Sequence, residues 1–215
     1  MGTKADEARD FVKKKLLSTK RDGIKDLVAY MEECGFFKAP CSGGNHLCCE
    51  GGLAVHTASV IQYAEKVGKA LLTAEEFKEM KSSIILVAAL HDLGKAGSWE
   101  EPYYVPNLVK SKRKIDGEYP MVPSTSKPYQ INTELPYFDH SDLSVKEADL
   151  YIELTPDEYF AILFHDGLYG SRSYWLKGHE TKLYFILHTA DFWSAQFRET
   201  KFIEEETDGS STETE

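Results

Sequence analysis

Ser83-Ile84-Ile85-Leu86-Val87-Ala88-Ala89-Leu90-His91-Asp92-Leu93-Gly94-Lys95 is the stretch that decides how this chain folds. Seven consecutive apolar residues run directly into an imidazole and a carboxylate. So long an apolar run belongs in a core. A carboxylate buried with it is costly unless it is paired or coordinates a metal. Gly94 is placed to end the helix. His91 and Asp92 then fall in its last turn, where the negative end of the helix dipole favours a nearby cation.

The same combination recurs on either side. Leu53, His56, Val60, Tyr63 and Val67 follow one another at steps of three and four, which puts His56 on the apolar face of a helix beginning near Gly52. Asp191 lies within Tyr184-Phe185-Ile186-Leu187-His188-Thr189-Ala190-Asp191-Phe192-Trp193. Two imidazoles and two carboxylates converging on one point would meet the needs of a divalent cation of borderline hardness. Taken singly, each residue has an ordinary reading: a hydrogen-bonded core histidine, a helix cap for Asp92, or an ion pair of Asp191 with Lys95 or Arg198. The ordered set points to metal.

Most of the remaining chain reads as helix, so the expected class is all-α. Apolar spacing predicts helices from about Asp6 to Leu17 and from Ile24 to Met31, followed by a Cys-, Gly- and Ser-rich loop from Ala39 to Glu50. Thr73 with Glu76, and Ser144 with Glu147, have the spacing of capping boxes. Thr155-Pro156-Asp157-Glu158 combines an N-cap with a proline at the first helical position, and that helix should reach His165 and stop at Asp166-Gly167. A last helix is expected from about Gly178 to Glu199. Between Glu100 and Asp139 the helical pattern fails. Tyr103-Tyr104-Val105 and Tyr119-Pro120-Met121-Val122, separated by Asp116-Gly117, suggest one β-hairpin inserted at about residues 101–130. A single domain over 1–203 is expected, and the acidic segment 204–215, without apolar anchors, reads as disordered.

The 215-residue chain has a formal charge of −10, which disfavours general binding to a nucleic-acid backbone as the main activity. A small phosphorylated substrate remains compatible, because bound metal supplies local positive charge. No apolar run reaches transmembrane length, and no signal-peptide pattern is visible. Cys34, Cys41, Cys48 and Cys49 are too few and too clustered for a disulfide framework, so a reduced, cytoplasmic protein is expected. A zinc site of Cys41, His46, Cys48 and Cys49 is conceivable, but its spacing matches no standard knuckle. Ordinary thiols in a loop are the commoner meaning.

Gly51-Gly52-Leu53-Ala54-Val55-His56-Thr57, His91-Asp92-Leu93-Gly94-Lys95 and Thr189-Ala190-Asp191 together resemble the three signatures of the HD-domain metal-dependent phosphohydrolases. The resemblance covers roughly Glu50 to Arg198. It implies a helical HD fold and metal ligation by His56, His91, Asp92 and Asp191. Phe138-Asp139-His140-Ser141 and Phe164-His165-Asp166-Gly167 are similar to the extra-histidine segments of HD proteins related to bacterial 3′-to-5′ exoribonucleases. That implies a second metal at His140 and His165, or phosphate binding by the two imidazoles. Loop-facing histidines are the plainer alternative.

The resemblance implies hydrolysis of a phosphate ester or anhydride with one or two divalent ions (Mn, Fe, Co, Ni, Zn or Mg). Asp92 would bridge two metals, and Lys95, His140 and His165 would stabilise phosphoryl charge or protonate the leaving group. Lys95 is also a candidate for a simple surface ion pair. His188 could support the metal shell, and His46 could line the mouth. Tyr103, Tyr104, Tyr169, Tyr174 and Trp175 could stack on a base, which favours a nucleotide. The run Lys110-Ser111-Lys112-Arg113-Lys114 is the one local feature favouring single-stranded RNA or DNA, and hence an exonuclease. A non-catalytic metal- or nucleotide-binding module is the third reading, and oligomeric state is open.

Overall fold

The computed structural model describes residues 3–114 and 117–198. In order along the chain these form α1 (Lys4–Ser18), α2 (Ile24–Glu33), α3 (Gly52–Leu71), α4 (Ala74–Leu90), β1 (Tyr104–Pro106), β2 (Leu108–Lys110), β3 (Met121–Pro123), β4 (Tyr129–Ile131), α5 (His140–Asp149), α6 (Pro156–Leu163), α7 (Ser173–Leu176) and α8 (Lys182–Trp193). Short 3₁₀ turns at Leu93–Ala96 and Gly167–Tyr169 follow α4 and α6, and a π turn, Ser194–Arg198, continues α8. The fold is largely helical, as expected. The expected tail, 204–215, lies outside the described residues, as does Glu199.

α3 is the centre of the packing, with α1, α4 and α8 against it. Its small residues allow this. Ala54, Ala58, Ser59, Ala64 and Gly68 are all buried, and a Cβ at Gly68 would come within 2.9 Å of Ile84 Cδ1 on α4. The apolar run Ile84–Leu90 is buried throughout. Its far side meets α6 and α8, so every face of α4's second half is covered.

Two expected capping boxes are present. Thr73 and Thr155 each accept from the backbone N–H three residues on, and Glu76 and Glu158 return the bond. Glu158 is also buried, where it receives both terminal nitrogens of Arg21 at 2.6 and 3.1 Å. Thr155→Ala should cost about 1 kcal/mol, the usual value of a lost cap. The check is a lower urea midpoint at unchanged m-value.

Several expectations are corrected. Ser144 and Glu147 do not cap a helix, because α5 starts earlier, at His140, with Asp139 as its N-cap. Ser144 Oγ instead accepts from the Gly94 N–H (2.8 Å) and donates to the His140 carbonyl (2.9 Å). Glu147 is buried and receives the Tyr30 hydroxyl (2.7 Å), the Ser98 hydroxyl and the Lys146 ammonium. Gly94 is not a helix-terminating residue either. α4 stops at Leu90 with His91 as its C-cap, so His91 and Asp92 lie just past the helix. Gly94 is needed for close approach: a Cβ there would lie 2.2 Å from the His140 carbonyl oxygen and 2.6 Å from Leu143 Cβ.

α6 ends at Leu163, two residues before His165, and α8 begins at Lys182 rather than Gly178, with Thr181 as its cap. The insertion is a long, interrupted ribbon. Tyr104–Pro106 pairs antiparallel with Tyr129–Ile131, and Leu108–Lys110 with Met121–Pro123, so Tyr103-Tyr104-Val105 is not the partner of Tyr119–Val122. The prolines at 106, 120, 123 and 128 break its ladder, since proline has no N–H to donate. Among the described residues no helix is long and apolar enough to cross a membrane.

Candidate metal centre

The structure brings six predicted residues to one point: His56 from the second turn of α3, His91 and Asp92 from the end of α4, His140 from the start of α5, His165 from beyond α6, and Asp191 from the last turn of α8. Their shortest contacts fall into two groups, although His91, His165 and Asp191 also offer ligand atoms within 4.8 Å of one another. In the first, His56 Nε2 lies 3.2 Å from His91 Nε2, 3.1 Å from Asp191 Oδ1 and 3.6 Å from Asp92 Oδ2. His91 Nε2 lies 3.4 Å from Asp92 Oδ2 and 3.8 Å from Asp191 Oδ1. In the second, the Nε2 atoms of His140 and His165 are 3.2 Å apart, and Asp92 Oδ1 lies 3.3 Å from one and 3.5 Å from the other. Asp92 thus offers one oxygen to each group.

These spacings suit a transition-metal ion. Donors about 2.1 Å from a common ion stand about 3.0 Å apart at right angles and about 3.4 Å apart at tetrahedral angles. The imidazoles are also turned for ligation. Nδ1 of His91 donates to the Ala88 carbonyl (3.0 Å) and Nδ1 of His165 to the Ile162 carbonyl (2.7 Å), which fixes both rings and aims Nε2 at the cluster. Both bonds reach back three residues, so two helix ends carry the same device. Asp92 Oδ1 is the sharpest test of fit: it is buried and makes no hydrogen bond with any described residue. A buried carboxylate oxygen 3.3 and 3.5 Å from two imidazole nitrogens, without a close hydrogen bond, has the chemistry of a ligand.

The charges are strongly coupled. Burial opposes ionisation of Asp92, but Lys95 and His91 outweigh it and hold the carboxyl well below its usual range. Asp191 is likewise driven down despite burial, by His56 and then His91. Burial and the nearby Lys95 and His165 push His140 down to about 4. His165 resists burial and is raised to about 9 by Asp92 and Asp166.

Lys95 does not form a surface ion pair. Its side chain is largely buried, and Nζ lies 2.7 Å from Asp92 Oδ2, the oxygen that faces the first group. His188, expected to support the shell, donates from Nδ1 to the His165 carbonyl (2.7 Å). Its ring occupies the space that a Cβ at Gly167 would need, at 2.5 Å, and Gly167 sits at φ +60. His179 is exposed and stands apart from the cluster.

Three contributors were not expected at this centre. Asp139 Oδ1 lies 3.3 Å from His140 Nδ1, and Asp166 Oδ2 lies 3.7 Å from His140 Nε2. Cys41 is buried against His46, with Sγ 3.3 Å from His46 Nε2, and both come close to His56. Burial opposes the Cys41 thiolate, yet His56, Lys95 and His46 together lower its pKa. Asp139 and Asp166 stand directly beside His140 and His165 in the chain, a signal of their place; for the cysteine loop the expectation was His46 at the mouth, without Cys41 beside it. Cys48 Sγ contacts Ser42 Oγ at 3.3 Å and the His46 carbonyl at 3.6 Å, not the Cys41 sulfur or the His46 ring.

The ribbon stands beside this centre. The Tyr129 N–H donates to the Gly43 carbonyl (3.1 Å), tying the ribbon's base to the cysteine loop. Tyr104 feels the charges of Lys95, Asp92 and Cys41, although burial is the main reason that its hydroxyl is raised to about 12. Of the aromatic residues considered for stacking, Tyr103 is buried edge-on against Tyr104, whereas Tyr169, Tyr174 and Trp175 are exposed. Tyr169 lies nearly parallel to Phe192, the neighbour of Asp191, with ring centres 6.2 Å apart. Comparison with protein-family models, curated proteins and solved structures finds no match.

Proposed function

We propose that this chain is an HD-type metal-dependent phosphohydrolase with two adjoining cation sites, acting on a nucleotide or a related phosphate ester. The observation that carries the reading is the division of Asp92 between two donor groups, Oδ2 toward His56, His91 and Asp191, and Oδ1 toward His140 and His165. A bridging carboxylate holds two cations close enough to act on one phosphoryl group. The donor set of four imidazoles and two carboxylates accepts Mn²⁺, Fe²⁺, Co²⁺, Ni²⁺ or Zn²⁺ more readily than Mg²⁺.

Such ions supply Lewis acidity, polarising a phosphoryl oxygen and making water a stronger acid. The protein's own groups do the remainder. His140 and His165 act as ligands in this reading, and so are not free to protonate a leaving group. Lys95 keeps Asp92 ionised and places a fixed positive charge beside the reacting phosphate. Asp166, the most exposed carboxylate of the cluster, is positioned at its open edge to accept a proton from water.

The test is hydrolysis of bis(4-nitrophenyl) phosphate and a nucleotide panel by chelated protein, reloaded with Mn²⁺, Co²⁺, Ni²⁺ or Mg²⁺. Activity should vanish on chelation and return with metal. Undiminished activity in demonstrably metal-free protein would overturn the reading.

A second reading, cleavage of a single strand, is favoured by the ribbon. Residues 104–131 hold five basic and two acidic side chains in a chain of net charge −10, and Lys110, Lys112, Arg113 and Lys114 are exposed. If a strand follows this ribbon, Lys112→Ala with Arg113→Ala should flatten the dependence of log affinity on log salt by about 1.4, two phosphate contacts' worth. Hydrolysis of the nitrophenyl ester should not change. An unaltered salt slope with an oligonucleotide would remove the ribbon from the substrate path.

A further inference from the structure

The cysteine loop brings a different kind of donor to the edge of the carboxylate centre. Cys41, His46 and His56 each offer one ligand atom within 4.8 Å of the other two. The sulfur and the His46 ring are already in contact at 3.3 Å. Cys41 and His56 are both buried, so neither donor is shared with bulk water.

The loop holds this geometry through its own backbone. The Cys41 N–H donates to the Leu47 carbonyl (3.1 Å). Ser42 Oγ accepts from the N–H groups of Asn45 and His46, both at 3.0 Å, and donates to the His46 carbonyl at 2.7 Å. Leu47 closes the turn at φ 45, a left-handed conformation that a leucine adopts only when its surroundings enforce it. Its carbonyl oxygen sits where a Cβ on Gly52 would lie (2.1 Å), so the loop packs directly on the start of the helix that carries His56.

A thiolate with two imidazoles is chemically unlike the neighbouring donor groups. It is softer, it suits tetrahedral ions, and three protein ligands with one open position are a common zinc arrangement. We infer that Cys41, His46 and His56 form a sulfur-containing site for a thiophilic divalent ion of the Zn²⁺ class, sharing His56 with the carboxylate centre. This goes beyond the phosphohydrolase reading and holds whether or not the carboxylate centre is catalytic. It also replaces the grouping of Cys41, His46, Cys48 and Cys49 that the sequence brings to mind, because Cys48 contacts Ser42 instead. Because His56 belongs to both donor sets, filling one centre would alter binding at the other.

The experiment is Co²⁺ and Zn²⁺ binding to the chelated full chain. One equivalent of Co²⁺ added to the Asp92→Asn protein, in which the carboxylate bridge is lost, should give the near-ultraviolet thiolate-to-cobalt charge-transfer band. Cys41→Ser in that background should abolish the band and weaken Zn²⁺ binding at least tenfold. His46→Gln should weaken it without removing sulfur from the protein. X-ray absorption of the unmutated protein with Zn²⁺ needs no variant to fold, and should show a sulfur neighbour at about 2.3 Å. A zinc shell of nitrogen and oxygen only, or a cobalt band that survives Cys41→Ser, overturns the inference. Loss of phosphate-ester hydrolysis alone bears only on the carboxylate centre.

Discussion

Asp92→Asn is expected to lower metal-dependent hydrolysis by at least about a thousand-fold, since it removes the one ligand common to both donor groups. The amide keeps the shape of the side chain, so packing around Leu90 and Leu93 is preserved. It keeps one oxygen and turns an N–H₂ donor toward a pair of Nε2 atoms or toward Lys95. Either orientation is unfavourable. Facing Lys95, it leaves a largely buried ammonium without its 2.7 Å partner. Breaking a buried pair from one side costs about 3–5 kcal/mol, so thermal unfolding must be followed beside activity.

Asp191→Asn supplies the comparison. Asp191 makes its short contacts with the first group, at His56 and His91, and reaches the second only through His165, whose ligand atom lies within 4.8 Å of its own; it is partly exposed. Metal analysis should find binding at His140 and His165 retained in Asp191→Asn and weakened in Asp92→Asn. Equal effects of the two variants on both groups would show that Asp92 is not shared.

Gly94→Ala is the second large effect, and it acts on the fold. The added methyl would lie 2.2 Å from the His140 carbonyl oxygen, 2.6 Å from Leu143 Cβ and 2.9 Å from the Ser144 amide nitrogen. Two of these are backbone atoms, which no rotamer change can move aside. α5 must shift, and the 2.8 Å bond from Gly94 N–H to Ser144 Oγ lengthens with it. Overpacking of this kind costs about 3 kcal/mol. For a chain of this size that lowers the unfolding midpoint by about 6–12 °C. The shift carries His140 away from His165, so affinity at that pair should fall as well. An unfolding midpoint within a degree or two of the parent would mean that α5 is not held against this turn.

Legibility differed sharply between elements built from the same letters. Thr73 with Glu76 and Thr155 with Glu158 cap helices as their spacing implies, because nothing nearer competes for the role. Ser144 with Glu147 has equivalent spacing and does not, because Asp139 starts the helix first and the Ser144 hydroxyl is drawn to Gly94. Gly94 itself reads as a helix stop in one dimension and serves as a crossing point in three. In the ribbon, the segments of β1 and β3 were visible, but β2, β4 and the pairing were not, since prolines deny the ladder the donors that would set a simple register.

Burial of the chemically decisive side chains was readable from local pattern alone. Apolar period and apolar run length are local properties, and they set His56, His91 and Asp92 among core residues before any partner is known. Burial then made metal the economical explanation for the carboxylate. The packing of helices, not local pattern, makes these faces meet at one point, divides the Asp92 oxygens between two histidine pairs, and brings Cys41 and His46 beside His56. The physical reason is that helical periodicity specifies the direction of a side chain from its own axis. It carries no information about which other axis lies opposite, and that is settled by how small residues such as those of α3 let the helices close on one another.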